Sequence, residues 1–454
     1  MPIINKTAKR LSPARTLVFG FLIIIFAGAL MLWLPFSTKS GSSAPFFDCL
    51  FTAASATCVT GFVIYDTYTH WSLFGQAVIA LLVQIGGIGF ITMLTFFNIA
   101  AGKKLGYRTV AVAADGLTEN RFEGGYRIFF SIMKYSLILE LCGAVIFATV
   151  FVPEYGAYGI WISIFMSITS FCNSGMDLMG IEGEFSSLIP YQNHPVIMIT
   201  TMVLVILGGL GFVVWENFLN YKKVKKLSLH TQVVLLMSIV LTLIGALFYL
   251  IFEWGNPATI GEMSFGDKLM NAFFMSVTTR SSGFNSIPID GLTDFSQLGT
   301  ILLMFVGSAP ASTGGGIKTT TLLVMIMTVA SYIRKKEDVE IFRHKIDKQT
   351  VYRTLVVTVL SMVAVGICFT ALYCTTPAVK DVGAVACLFD TVAAFSTAGL
   401  SAGAFSATNF FGKCIILITM FAGRIGPVSF VMSMTMNTSR RKNVIAPEGQ
   451  IFIG

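Results

Sequence analysis

Thr57-Cys58-Val59-Thr60-Gly61-Phe62 decides the architecture of this chain, because the segment returns three more times. Aligned on the glycine, the copies centre on Gly61, Gly175, Gly283 and Gly399, at intervals of 114, 108 and 116 residues. A phenylalanine stands ten residues before each glycine: Phe51, Phe165, Phe273 and Phe389. Three copies put a hydroxyl immediately before it (Thr60, Ser174, Ser282), with Ala398 the exception. A glycine after Thr or Ser is common in turns, so one match means little. Four at near-equal spacing, each after an apolar segment and before a Gly-rich one, mark an internal repeat of about a quarter of the chain.

Composition sets the class. Apolar residues make up 55% of the 454 residues and charged residues 12%, where a soluble domain carries about 25% charged. An integral membrane protein follows. The net charge of +8 does not point to nucleic acid, because most Lys and Arg lie in short loops between apolar spans. The first apolar span is too long for a cleavable signal peptide, and no small-residue cleavage site follows it. The eight cysteines form no CxxC pair and lie mainly in apolar segments, which fits small buried side chains.

Outward from the repeat, each unit reads as span, half-helix, glycine segment, span. A basic tail (1–16) precedes a span at 17–36, long enough for a hydrocarbon core of about 30 Å. Residues 46–56 are too short to cross and read as a re-entrant helix ending at the first glycine segment; the chain returns through 72–101. The other half-helices fall at 159–170, 266–278 and 383–395. The remaining outer spans are expected at 128–152 and 195–219, 233–252 and 295–332, and 354–374 and 410–436. The expected fold is therefore an all-α integral membrane protein: four parallel helix–pore-helix–helix repeats around a central pore, with eight crossings. The repeats occupy 17–101, 128–220, 231–332 and 351–436, with a C-terminal tail at 437–454.

Charge placement orients this scheme. Twenty-three Lys and Arg fall on the side of the termini and five on the side of the glycine segments. That bias puts both termini in the cytoplasm and the glycine segments outside. Parallel repeats also set the chain apart from the many carriers built on inverted ones.

A cation filter needs backbone oxygens aimed at one axis, and glycine permits the φ/ψ values that turn a carbonyl inward. The first copy is close to the Thr-Val-Gly filter of potassium channels. The candidate filter residues are Thr57, Cys58, Val59, Thr60 and Gly61; Cys172, Asn173, Ser174 and Gly175; Ser281, Ser282 and Gly283; and Ser396, Thr397, Ala398 and Gly399. The carbonyls of Thr60, Ser174, Ser282 and Ala398 are the expected ion ligands, and helix C-termini aimed at the pore add partial negative charge. Position −3 holds Cys58, Cys172, Arg280 and Ser396. Arg280 is unexpected in a cation path and is read as bracing the filter from behind. Asp66, Asp177, Glu262 and Asp267 could concentrate cations outside, or be ordinary loop carboxylates.

A second repeat lies in the returning spans: Gln84-Ile-Gly-Gly-Ile-Gly-Phe90, Leu207-Gly-Gly-Leu-Gly-Phe212 and Ala422-Gly-Arg-Ile-Gly-Pro427. Arg424 replaces a glycine mid-span, where a charge costs about 2.5–3.5 kcal/mol and usually faces a cavity or partner. It is expected either to face the pore or to pair with a buried carboxylate such as Glu140. The third returning span is 38 residues, roughly 57 Å if helical. Its middle reads Gly307-Ser308-Ala309-Pro310-Ala311-Ser312-Thr313-Gly314-Gly315-Gly316-Ile317-Lys318. Proline and three consecutive glycines break a helix, predicting a mid-membrane loop beside the cavity. This loop and Arg424 form the candidate gate.

These residues resemble the Trk/Ktr/HKT superfamily of potassium transporters, and the short leader before the first span is similar to its bacterial Ktr membrane subunits. The resemblance covers essentially the whole chain. It implies a homodimer with one pore per protomer, seated in membrane lipid of the bacterial plasma membrane on a cytosolic ring of nucleotide-binding regulatory subunits of the KtrA type. It implies K+ as the transported ion, gated by the 307–318 loop and Arg424. A glycine at position 61 is the potassium-type choice, where serine goes with sodium in plant relatives. No organic cofactor is expected in this chain. The leading reading is channel-like potassium uptake; the alternative is a sodium-coupled or sodium-dependent potassium carrier on the same fold, with Na+ as second ion. An enzyme is disfavoured, since HExxH is absent and the chain has only four histidines.

Overall fold

The computed structural model describes residues 13–88 and 125–434. The tail at 437–454, most of the 101–127 loop, Gly89 and the end of the first returning span lie outside the described residues. Helices dominate. α1 (Pro13–Leu32) leads to α2 (Phe46–Cys58), the single turn α3 (Thr67–His70) and α4 (Leu73–Gly87). α5 (Gly125–Tyr155), α6 (Ala157–Cys172), α7 (Pro195–Gly209) and α8 (Phe212–Val224) follow. Next come α9 (Leu229–Glu253), α10 (Phe265–Thr278), α11 (Asp294–Phe305) and α12 (Thr319–Ile333). α13 (Lys348–Thr375), α14 (Pro377–Val382), α15 (Ala384–Phe395), α16 (Phe410–Ile425) and α17 (Pro427–Met434) end the described chain. A short antiparallel pair, Glu340–Ile341 with His344–Lys345, corrects the all-α expectation in detail. It folds the polar 332–353 segment, where Lys345–Asp338 (2.7 Å) and Lys336–Glu340 (3.1 Å) are paired.

The four short helices that end at the repeated glycines start where the sequence stops the preceding chain. Pro45 leads into α2, Gly156 (φ 60°) into α6 and Gly383 (φ 109°) into α15. For α10, Ser264 caps the first turn, its Oγ accepting from the Asp267 N–H. All four are buried along most of their length, whereas the long helices bury one stripe. Leu22 and Ile23 of α1, Leu141 of α5, Leu247 of α9 and Ile367 of α13 are exposed apolar residues, as a lipid-facing surface requires. By length and composition, three helices among the described residues can cross a membrane, Phe130–Tyr155, Leu229–Glu253 and Lys348–Thr375, or up to four if the bent pair Pro195–Gly209 and Phe212–Tyr221 is one span.

Packing runs in a circle. Within a unit, α1 packs on α2 and α4, α5 on α6 and α7, α9 on α10 and α11, and α13 on α15 and α16. Between units, α4 packs on α6, α7 on α10, α11 on α15, and α16 returns to α2. Each returning helix therefore wedges against the short helix of the next unit, and the last closes on the first. Small residues also let each returning helix approach the short helix of its own unit. A Cβ on Gly86, Gly208 or Gly423 would strike the carbonyl oxygen of Thr57, Phe171 or Phe395, the residue four before each repeated glycine.

The sequence places one broken span, in the third unit; among the described residues the structure breaks three. α7 and α8 meet at 91°, so 195–219 is not continuous. Gly211 stands at the break with φ 85° and ψ 148°. The 410–436 span is likewise interrupted at Gly426 (φ 89°) before Pro427. These are the third glycines of the repeated motif, and a positive φ is what the motif supplies at that position.

Candidate functional site

The four repeated glycines come together as a ring with a direction. A Cβ on Gly61 would fall within 3.0 Å of the Ser174 carbonyl oxygen, one on Gly175 against the Ser282 oxygen, one on Gly283 against Ala398, and one on Gly399 against Thr60. The order is one to two to three to four and back to one. All four glycines have positive φ: 99°, 67°, 84° and 73°. Any side chain at these positions would meet both a forbidden dihedral and a neighbour's carbonyl. Thr60, Ser174, Ser282 and Ala398 thus stand in one layer. Among the described residues none of their carbonyls accepts a protein hydrogen bond, and the hydroxyls of Thr60, Ser174 and Ser282 are buried without a partner. Four unspent carbonyls at one level suit an unhydrated monovalent cation.

A feature that composition hides supports this layer. The residue two before each glycine also has positive φ: Val59 at 56°, Asn173 at 61°, Ser281 at 97° and Thr397 at 51°. Left-handed backbone in a β-branched residue such as Val59 or Thr397 is strained, and strain of this kind collects at functional sites. The helix ends impose it. In units one, two and four, the N–H groups of Thr60, Ser174 and Ala398 reach back five residues to Ser55, Thr169 and Ala393 (2.8–2.9 Å). The N–H groups of Val59, Asn173 and Thr397 reach back three. This pair of bonds is a Schellman ending, usually built on glycine. In the third unit Ser282 reaches back only four, to Thr278 (2.9 Å).

At position −3, Cys58, Cys172 and Ser396 are fully buried beneath the ring. Arg280 points away from the axis. Its Nη1 donates to the Ser238 carbonyl (3.2 Å) and its Nη2 to Thr242 Oγ1 (2.6 Å), both on α9. Three of the four acidic residues considered as an outer cation funnel hold local structure. Asp66 accepts from the N–H groups of Tyr68, Thr69 and Phe185, Asp177 from Met179, and Asp267 caps α10 with Ser264.

The 307–318 segment lies directly under this layer. It is anchored by a parallel bridge, Val306 with Ile317, and is mostly buried, as non-helical backbone in lipid must be. It touches the second unit, the rest of the third and the fourth. The N–H groups of Ala309 and Thr313 donate to Gly209 and Gly208 (3.1 and 3.5 Å), and the Ala311 carbonyl accepts from Phe212 (3.0 Å), across the break in the second unit. The Pro310 carbonyl crowds Gly211. The Gly315 N–H donates to both Ser281 Oγ (3.1 Å) and Thr397 Oγ1 (2.9 Å). Ser308 and Ser312 share a hydroxyl–hydroxyl bond (2.6 Å), and Lys318 Nζ donates to the Gly314 carbonyl (2.6 Å). Gly307 and Gly316 hold the two sides of the loop together: the Gly307 N–H donates to Ile317, and a Cβ on Gly307 would strike Gly315.

Arg424 completes the picture, and not with a carboxylate. Its Nη1 donates to the Thr313 carbonyl and its Nη2 to the Gly86 carbonyl. Glu140, the carboxylate considered for it, instead accepts from Gln84 Nε2 (2.9 Å). The guanidinium therefore ties the loop of unit three to the returning helix of unit one, from its seat in unit four. Sequence reasoning missed Gly86 and Thr313 as the partners of Arg424, because a backbone carbonyl carries no residue-type signal.

Comparison with known proteins gives this geometry a family. Residues 12–443 match the TrkH family, described as cation transport protein. The chain is 36% identical over 454 residues to the potassium/sodium uptake protein NtpJ of Enterococcus hirae, covering 99% of both chains. It is also 36% identical over 446 residues to the Ktr system potassium uptake protein B of Bacillus subtilis, covering 98% of this chain and 97% of that one. In fold it is similar to the potassium transporter TrkH from Vibrio parahaemolyticus, with TM-score 0.73 and 16% identity over 96% of this chain and 87% of that one. The helices that circle the four-glycine ring are thus those of a transporter rather than an enzyme, and the chain belongs to the TrkH family of cation transport proteins.

Proposed function

We propose that this chain takes up potassium across the bacterial plasma membrane through a pore along the axis of the glycine ring. The observation that carries the reading is the closed cycle of Gly61, Gly175, Gly283 and Gly399 against the carbonyls of Ser174, Ser282, Ala398 and Thr60. Four unspent carbonyls replace the hydration shell of an ion, and the C-terminal ends of α2, α6, α10 and α15 favour positive charge there. In this reading four parallel repeats give eight crossings, with both termini in the cytoplasm. The 307–318 loop and Arg424 form the gate. The working unit is a homodimer on a cytosolic ring of regulatory subunits, and the membrane potential drives entry. The name of the Bacillus subtilis relative, a potassium uptake protein, supports the choice of ion.

Sodium-coupled or sodium-dependent uptake is the second reading, favoured by the Enterococcus hirae relative, named for both ions. The test is growth of an uptake-deficient bacterium expressing this chain with its regulator on limiting potassium, with rubidium uptake measured with and without sodium. Growth rescue with sodium-independent rubidium flux is the expected result. Rescue only in sodium selects the second reading, and no rescue by a chain shown to be inserted rejects both.

A further inference from the structure

We propose that Ser281 and Thr397 are positioning residues that couple the loop to the ion-binding ring through the Gly315 N–H, so that ring occupancy and loop position bias one another. The proposal rests on the reading of the ring as filter and the loop as gate. The Gly315 N–H lies between two hydroxyls, 3.1 Å from Ser281 Oγ and 2.9 Å from Thr397 Oγ1. Each hydroxyl belongs to the residue two before a ring glycine, in units three and four. Both residues are fully buried and held at positive φ, 97° and 51°.

The other two units cannot make this contact. Val59 has no polar group. The Asn173 amide, oriented by its surroundings, donates to the Val205 and Ser170 carbonyls (3.1 Å each). Of the four residues at this register, the two with free hydroxyls are those the loop reaches. The fit is close: a Cβ on Gly314 would strike Ser281 Oγ, and one on Gly315 would strike Thr397 Oγ1. The loop backbone is thus keyed to two of the four filter strands.

The energetic consequence follows from the dihedrals. A left-handed serine or threonine is intrinsically disfavoured, and here the N–H donated to its hydroxyl adds to what holds it. When the loop withdraws, that bond is lost and the two strands are freer to relax. An ion that holds the carbonyl layer in place resists the relaxation, so occupancy opposes or assists withdrawal by a coupling that is reciprocal. Ser281 and Thr397 touch no ion in this scheme; they act through the backbone of Ser282 and Ala398.

The experiment uses the full chain with its regulator in proteoliposomes. Rubidium flux is measured without and with regulator, at low and high external potassium, for Ser281→Ala, Thr397→Ala, the double variant, and the hydroxyl-retaining Ser281→Thr and Thr397→Ser. Losing one neutral hydrogen bond should shift the resting balance of the loop several-fold, and both about tenfold. The double variant should therefore raise regulator-independent flux about tenfold and lose the effect of external potassium on regulator sensitivity. The hydroxyl-retaining variants should keep both properties. An inserted double variant with wild-type resting flux and wild-type potassium effect overturns the proposal. If both alanine variants fail to insert, hydroxyl-retaining variants that lose the potassium effect overturn it, and ones that keep it support it. A wild-type chain that passes no potassium or rubidium rejects the filter reading itself.

Discussion

Gly399, in the last repeat, lies with its Cα against the Thr60 carbonyl of the first, so closely that a Cβ there would collide with it. The chain thereby closes a circle across 339 residues of sequence, and no covalent or side-chain link is needed. The same contact relates each repeat to the next. Substitution at one glycine should therefore disturb its neighbour's carbonyl as well as its own backbone.

Gly61→Ser adds a Cβ and a hydroxyl at φ 99°, directed at the Ser174 oxygen. The variant should insert and fold but lose preference for potassium over sodium. Gly399→Ala should do the same through Thr60. Competitive uptake of rubidium and sodium measures it, and an unchanged ratio in both variants rejects the filter assignment.

Arg424 is a charge and a clasp. A unit charge about 4 Å from a passing ion costs near 4 kcal/mol at an effective dielectric of 20, roughly a thousandfold in occupancy. Its two bonds also pin Thr313 to Gly86. Arg424→Ala should raise regulator-independent flux at least tenfold, as should deletion within 308–315. Arg424→Lys keeps the charge but cannot span both carbonyls as a planar fork does, so its flux should fall between. Low flux and full regulator dependence in inserted Arg424→Ala would place the barrier elsewhere.

Gly208 tests the packing rather than the pore. Its α-carbon faces the Phe171 carbonyl at the end of α6, and Gly208→Ala overpacks that joint. A loss of about 1–3 kcal/mol is expected. It should appear as a lower Tm of the purified protein, while surviving molecules retain wild-type ion preference.

His70 gives a pH dependence of stability. Its ring stacks on Tyr65 at 4.0 Å and 11°, and its Nε2 has no hydrogen-bond partner among the described residues. Partial burial holds its imidazole below the ordinary value of 6.5, against a weaker upward pull from Asp48. A depressed value means that the contribution to stability is present above 6.5 and is lost as pH falls through the folded value. Wild-type stability should decline on acidification below that point, and His70→Phe should flatten the decline. Thermal unfolding from pH 7.5 to 5 measures it; equal slopes for the two proteins refute it.

The regulator should dock by charge. Lys225 and Lys226 are exposed just beyond α8, in a run that begins with Lys222 and Lys223. Neutralising all four should weaken co-purification of the regulatory ring at low salt more than at high salt. Pull-down that is unaffected at every ionic strength moves the docking site elsewhere.

By itself, the sequence determined the class, the fourfold repeat, the glycines and the unusual third span, because each leaves a residue-type mark: apolar runs, equal spacing, and glycine where φ must be positive. It also displays the motif that breaks the second and fourth returning spans at Gly211 and Gly426, but not the breaks themselves. A glycine triplet in an apolar run looks the same whether it packs or bends a helix. Only the tertiary structure decided the partners of Arg424 and Gly315. Thr313 and Gly86 serve through backbone carbonyls, which every residue possesses, so only their position distinguishes them. The left-handed Val59 and Thr397 were hidden for a related reason: their own chemistry disfavours that backbone, and the helix endings and the closed ring impose it.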